Sequence, residues 1–75
     1  MKLHQLLKRT LYRTQIALKV DVIEKGIIFD LYHGTVEQTL KYLNGTDALY
    51  AEVEYVSVKT DRKTKAPLME ILIVK

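Results

Sequence analysis

The 75-residue sequence contains no cysteine. Disulfide bridges and cysteine-ligated zinc, the two usual supports of very small folds, are therefore excluded. Only one proline and three glycines interrupt the chain, and 48% of its residues are apolar, which argues against disorder. A chain of this length supports one small domain, which we expect to span residues 1–75.

Targeting and membrane-crossing patterns are missing as well. A signal peptide needs an apolar stretch of roughly 7–15 residues near the start, and polar side chains interrupt the first ten positions here. The aliphatic run 71–74 is far shorter than the roughly 20 residues that cross a bilayer. We therefore expect a cytoplasmic protein that does not associate with membranes.

The chain offers few groups for catalysis or metal binding. Its only serine, Ser57, lies within a predicted strand and has no histidine near it in sequence. His33 follows Asp30 by three positions, but residues three apart on a strand point to opposite faces, which argues against a direct pair. The two histidines lack metal-ligand spacing, and the three glycines are too scattered to form a phosphate loop. We expect no catalytic residue, no cofactor and no metal, and a protein that is not an enzyme.

Two segments have the periodicity and the end signals of helices. Leucines recur at helical spacing near the start of the chain, which predicts a short amphipathic helix over about residues 2–9. Thr35 and Gln38 have the spacing of a capping box, and Asn44-Gly45 supplies a helix stop, which together predict a helix over about residues 36–43. The first of these helices is too short to be stable unless it packs on something else.

Alternating and aliphatic runs predict four strands, at about residues 14–22, 27–32, 52–60 and 68–75. Gly34 is expected to end the second strand, and a parity change near Glu54 suggests a bulge in the third. The fold class is therefore α+β with the order α-β-β-α-β-β: two hairpins joined by a helix, forming a four-stranded, mainly antiparallel sheet. If the strands that flank the helix are parallel neighbours, the crossover between them should be right-handed.

The net charge of +3 hides a strong segregation along the chain. Residues 1–19 carry five basic and no acidic side chains, residues 20–58 carry two basic and seven acidic ones, and residues 59–75 carry five basic and two acidic ones. The two basic ends predict a contact surface for phosphates or acidic groups if the fold brings them together. Its candidate residues are Arg9, Arg13, Lys59, Arg62, Lys63 and Lys65.

The predicted strands carry more apolar side chains than are needed to form one buried face of the sheet. Strands two and four carry large aliphatic residues at both odd and even positions. One interpretation is that the two helices cover one sheet face each. The other is that part of a face stays exposed and binds a partner, either a different protein or a second copy in a homodimer. The candidate residues for such an apolar interface are Tyr32, Leu72 and Val74.

Five segments follow one another along the chain: Lys2-Leu3-x-x-Leu6-Leu7-Lys8, Thr14-x-Ile16-x-Leu18, Gly34-Thr35-Val36-x-x-x-Leu40-Lys41-Tyr42-Leu43, Val53-x-x-Val56-x-Val58 and Ile71-Leu72-Ile73-Val74. In this layout the chain resembles small uncharacterised proteins encoded by bacteriophages and prophages of Gram-positive bacteria. It implies a non-enzymatic accessory role in the cytoplasm of a bacterial host cell, where some phage proteins block host enzymes or defence nucleases. The leading hypothesis is a module that binds a host protein. The alternative is a small basic protein that binds nucleic acid through its N-terminal segment and the hairpin tip at residues 59–65.

Overall fold

The computed structural model describes residues 1–74, and Lys75, the expected end of the fourth strand, lies outside the described residues. The helices and strands follow the expected order α-β-β-α-β-β. They are α1 (Leu3–Lys8), β1 (Gln15–Val22), β2 (Ile27–Thr35), α2 (Val36–Leu43), β3 (Glu52–Thr60) and β4 (Pro67–Val74), with short 3-10 helices at Ile23–Lys25 and Asp47–Tyr50. None of the helices in residues 1–74 is long and apolar enough to cross a membrane.

The sheet is mixed, with the strand order β2-β1-β4-β3. The hairpin pairs β1–β2 and β3–β4 are antiparallel, whereas the central strands β1 and β4 run parallel to each other. The expectation of a mainly antiparallel sheet built from two hairpins is confirmed. The strands that flank α2 are β2 and β3, and they lie at opposite edges of the sheet. Because they are not neighbours, the predicted right-handed crossover between parallel neighbours does not apply.

Helix α2 begins and ends where its sequence signals predict. The Thr35 hydroxyl accepts a hydrogen bond from the Gln38 amide at 3.1 Å, and the Thr35 amide donates to Gln38 Oε1 at 2.9 Å. This reciprocal pair satisfies two amides that a helix N-terminus leaves without partners. At the other end of α2, Gly45 has φ of 80°, a left-handed conformation that glycine adopts without steric cost.

Helix α1 is held in place by the start of β3. The Leu3 amide donates to the Ala51 carbonyl at 2.9 Å, and the Val53 amide donates to the Met1 carbonyl at 2.8 Å. Leu3 and Leu7 are fully buried. Because six residues are too few to form a stable isolated helix, these contacts are what keep α1 folded.

A bulge in β2 changes which side chains share a face. Leu18 pairs with Tyr32 and Lys19 pairs with Asp30, so Leu31 is an extra residue on the longer strand. The predicted bulge in β3 is confirmed at the register shift between Val53 and Tyr55. The predicted end of β2 at Gly34 is wrong, because the ladder with β1 continues to Thr35.

Both helices pack on the same face of the sheet. Buried side chains from α1, α2 and the central strands form one cluster: Leu3, Leu7, Ile16, Leu18, Val20, Val36, Leu43, Ile71 and Ile73. The strand members of this cluster occupy alternate positions, so they all point to one side. The interpretation that each helix covers a different face is therefore wrong, and within residues 1–74 no helix covers the opposite face.

Candidate functional site

The sheet face opposite the helices, here called the open face, carries both apolar and charged side chains. They come from the strand positions that alternate with the core: Ala17, Lys19, Asp21, Ile28, Asp30, His33, Tyr55, Ser57, Lys59, Leu68, Glu70, Leu72 and Val74. Leu68, Leu72 and Val74 are only half-buried, and Ile28 and Tyr55 are exposed. Since an exposed apolar patch on a small protein marks a contact surface, this face is one candidate site.

The centre of the open face holds a row of compensated charges. Lys19 Nζ lies 3.5 Å from Glu70 Oε2, and Lys59 Nζ lies 3.3 Å from the same oxygen. Burial of the Glu70 carboxyl works to raise its pKa, but the hydrogen bond from Lys59 and the charges of both lysines outweigh burial and lower the pKa. Glu70 is therefore ionised at neutral pH and joins two lysines across three strands.

The end of the open face where β1 and β4 finish is acidic. Hydrogen bonding between Glu54 and Asp21 raises the pKa of Glu54, and burial and the neighbouring negative charge add to the effect. No lysine or arginine within residues 1–74 forms an ion pair with either carboxylate. At the same end Glu52 is compensated, because hydrogen bonds from Lys2 and the N-terminal amine lower its pKa.

Asp30 and His33 lie closer together than strand alternation predicts. The bulge at Leu31 places both side chains on the open face, with His33 Nε2 3.7 Å from Asp30 Oδ1. The expectation that they point to opposite faces is therefore wrong. Both side chains are more than 60% exposed. The pair therefore lies on the exposed surface of the sheet.

The same bulge separates the residues expected to form an apolar interface. Leu72 and Val74 lie on the open face, whereas Tyr32 pairs with the buried Leu18 and points to the helices. The ring of Tyr32 stacks on Tyr42 of α2, with 4.4 Å between ring centroids. Tyr32, Leu72 and Val74 therefore do not form a single patch, and Tyr55 and Leu68 replace Tyr32 on the face that carries the other two.

A second candidate surface, here called the basic end, lies where β1 and β4 begin. Because these two strands are parallel neighbours, the segment before β1 and the hairpin tip before β4 reach the same end of the sheet. Arg13 and Pro67 line a common shallow cleft there, and Arg9 belongs to the same α1–β1 connection. The fold thus brings together the two basic segments that are far apart in sequence.

The hairpin tip presents its cations on an ordered turn. The Asp61 carboxylate accepts a hydrogen bond from the Lys63 amide at 2.9 Å, and the Lys65 amide donates to the Asp61 carbonyl at 2.7 Å. Among residues 1–74, no ion pair involves Arg9, Arg13, Arg62, Lys63 or Lys65. The sixth predicted member, Lys59, differs from these five because it lies on the open face and pairs with Glu70.

The sequence did not indicate a third feature, an apolar cleft of about 280 Å³ between the sheet and the Asp47–Tyr50 helix. Its walls include Val20, Phe29, Leu31 and Ile73, and among residues 1–74 Asp47 is the one ionisable residue that lines it. Residues 1–74 contain no cluster of three or more side chains able to hold a metal ion.

Comparison with protein-family models, with curated proteins and with solved structures gives no match to this chain.

Proposed function

We propose that the chain is a non-enzymatic interaction module that binds an acidic surface of another protein through its basic end. The observation that carries this proposal is the convergence of Arg13 and the 61–66 turn at one end of the sheet. A group of cations on one surface attracts a partner of opposite charge and orients it before contact. Outside the basic end, Lys19, Lys41 and Lys59 are paired with carboxylates.

The resemblance to phage and prophage proteins supplies the biological setting of the proposal. The module acts in the cytoplasm of a bacterial host cell as an accessory protein of a phage or mobile element. Its partner is a host protein that presents an acidic surface, such as a host enzyme or a defence nuclease. Binding there would inhibit such an enzyme by occupying the surface.

Affinity capture from bacterial lysate with paired variants tests the proposal. In one variant Arg62 and Lys63 are replaced by alanine, and in the control Lys25 and Lys41 are replaced, so both variants lose two exposed lysine or arginine charges. Lys25 lies in the turn between β1 and β2, at the far end of the sheet. We expect a protein partner that survives nuclease treatment, is lost with the first variant and is retained with the control. Failure to recover a protein partner, or equal capture by both variants, would overturn the proposal.

A second candidate partner is a nucleic-acid backbone, and the exposed ring of Tyr12 favours it. Tyr12 precedes Arg13 and is 60% exposed, and single-strand binding sites combine cations with exposed aromatic rings. This function predicts micromolar binding of oligonucleotides at about 50 mM salt that weakens steeply as salt rises. The Arg62 and Lys63 double variant should weaken binding equally for all sequences. Absence of binding at low salt rules this candidate out and leaves the protein partner.

A further inference from the structure

We propose that the open face is the interface of a homodimer in which two copies pack face to face with their strands running in opposite directions. The basic end lies outside this interface, so the proposal is independent of the partner proposed above. The two-fold axis lies between the sheets and crosses the strands. Each strand then packs against its own counterpart in the second copy, in reverse direction.

The apolar content of the open face gives the first argument. Leu72 lies near its centre and pairs with Tyr55 on β3, which is 49% exposed. Val74 lies next to Leu72 on this face of β4, and Leu68 lies on the same face beyond Glu70.

The charge pattern of the face decides which partner fits. Its acidic end carries Asp21 and Glu54, and its opposite end carries Lys59 and leads to the hairpin tip. A surface with opposite charges at its two ends is complementary to a reversed copy of itself. In the reversed arrangement Lys59 approaches Glu54 of the second copy, and Leu68 packs over Val74.

The charge of Glu70, in the middle of the face, can be buried without losing its partners. Glu70 is already paired with Lys19 and Lys59 inside each copy, and a buried charge is costly mainly when it has no partner. The face also has sufficient area. Four strands of about eight residues span roughly 500 Å² at the usual strand spacing and rise, so two copies bury about 1,000 Å² in total, about the least that a biological interface is expected to bury.

The mass of the full chain in solution tests the dimer, and two arginine substitutions test the face. Light scattering at increasing concentration is expected to give twice the monomer mass of 8.7 kDa. Leu72→Arg should give a folded monomer. Val58→Arg adds the same side chain at a site that is 67% exposed on the helix-bearing side, and it should remain a dimer. A wild-type monomer at concentrations up to about 1 mM, or a dimer that Val58→Arg breaks and Leu72→Arg does not, would overturn the proposal.

Two charge-reversal variants test the orientation without relying on Leu72. In the reversed dimer Lys59 of each copy lies near Glu54 of the other, so either Lys59→Glu or Glu54→Lys brings like charges together at two symmetry-related positions. Each variant should therefore raise the dimer Kd about tenfold or more. An equimolar mixture of the two variants should restore the dimer, because each new glutamate then faces a new lysine. If each variant alone is weakened but the mixture is not restored, the two copies do not pack with reversed strands.

Discussion

Replacing Leu7 with alanine tests whether α1 belongs to the core layer, the feature that leaves the open face uncovered. Leu7 is 0% exposed and packs in the same cluster as Leu18 and Ile71. Truncating a fully buried leucine typically lowers the free energy of unfolding by about 2–5 kcal/mol, because apolar burial is lost and a cavity remains. A domain of 75 residues has a total stability of roughly 4–11 kcal/mol. The substitution is therefore expected to remove a large share of the stability.

Thermal and urea unfolding followed by circular dichroism measure the effect. Since 1 kcal/mol shifts the Tm of a domain of this size by about 4–8 °C, Leu7→Ala should lower the Tm by roughly 8–40 °C. The matched control is Leu11→Ala, the same chemical change at a side chain that is 81% exposed. The control should change the free energy of unfolding by less than about 0.5 kcal/mol.

Equal stability of these two variants would refute the placement of α1. The helix would then be free of the core, and it could cover the sheet face that we describe as open. A lower urea m-value for Leu7→Ala, with an unchanged main transition, would show that α1 unfolds separately from the sheet. In the first case the argument for a homodimer through the open face would lose its structural basis.

Three further substitutions test local interactions by their effect on Tm. Glu70→Gln should lower the Tm at pH 7, because the lowered pKa of Glu70 stabilises the fold at pH values above the ordinary pKa of 4.5. This stabilisation is lost as the pH falls through the folded-state pKa, so the difference in Tm from wild type should vanish at low pH. Glu54→Gln should raise the Tm at pH 7, because the raised pKa of Glu54 means that its ionised form destabilises the fold. The increase in Tm should shrink as the pH falls towards 4.5, where Glu54 of the wild type becomes protonated. Thr35→Ala removes the cap of α2 and should cost about 0.5–2 kcal/mol, measured by urea unfolding, whereas Thr35→Ser should restore most of the loss.

The elements that could be predicted from sequence are those specified by neighbouring residues. The capping pair Thr35 and Gln38 sets the start of α2 through hydrogen bonds three positions apart, and the predicted bounds of this helix are those found. The short N-terminal helix is one residue shorter at each end than its leucine spacing suggests. The parity change near Glu54 also located the bulge in β3, because a single out-of-phase apolar residue breaks an otherwise regular alternation.

The bulge in β2 could not be predicted in the same way. The segment 27–32 has apolar residues at both odd and even positions, so inserting one residue leaves no break in its pattern. That hidden bulge moved Tyr32 to the helix side and brought His33 beside Asp30. The strand order was equally inaccessible, because it depends on the pairing of β1 with β4, which are about fifty residues apart.

The parallel pairing of β1 with β4 converts the charge pattern of the sequence into a pattern in space. Both strands begin at the basic end, so the cations of the N-terminal segment and of the hairpin tip gather there. Asp21 near the end of β1 and Glu54 near the start of β3 lie at the other end of the sheet, and each copy is therefore electrically polar along its strands. In the proposed dimer the acidic end of each sheet lies over the opposite end of the other sheet, which is electrostatically favourable. The two basic ends then point in opposite directions. A partner with two acidic sites spaced by about the 35 Å length of one copy could then engage both basic ends at once, and such bivalent binding gains affinity without any new contact.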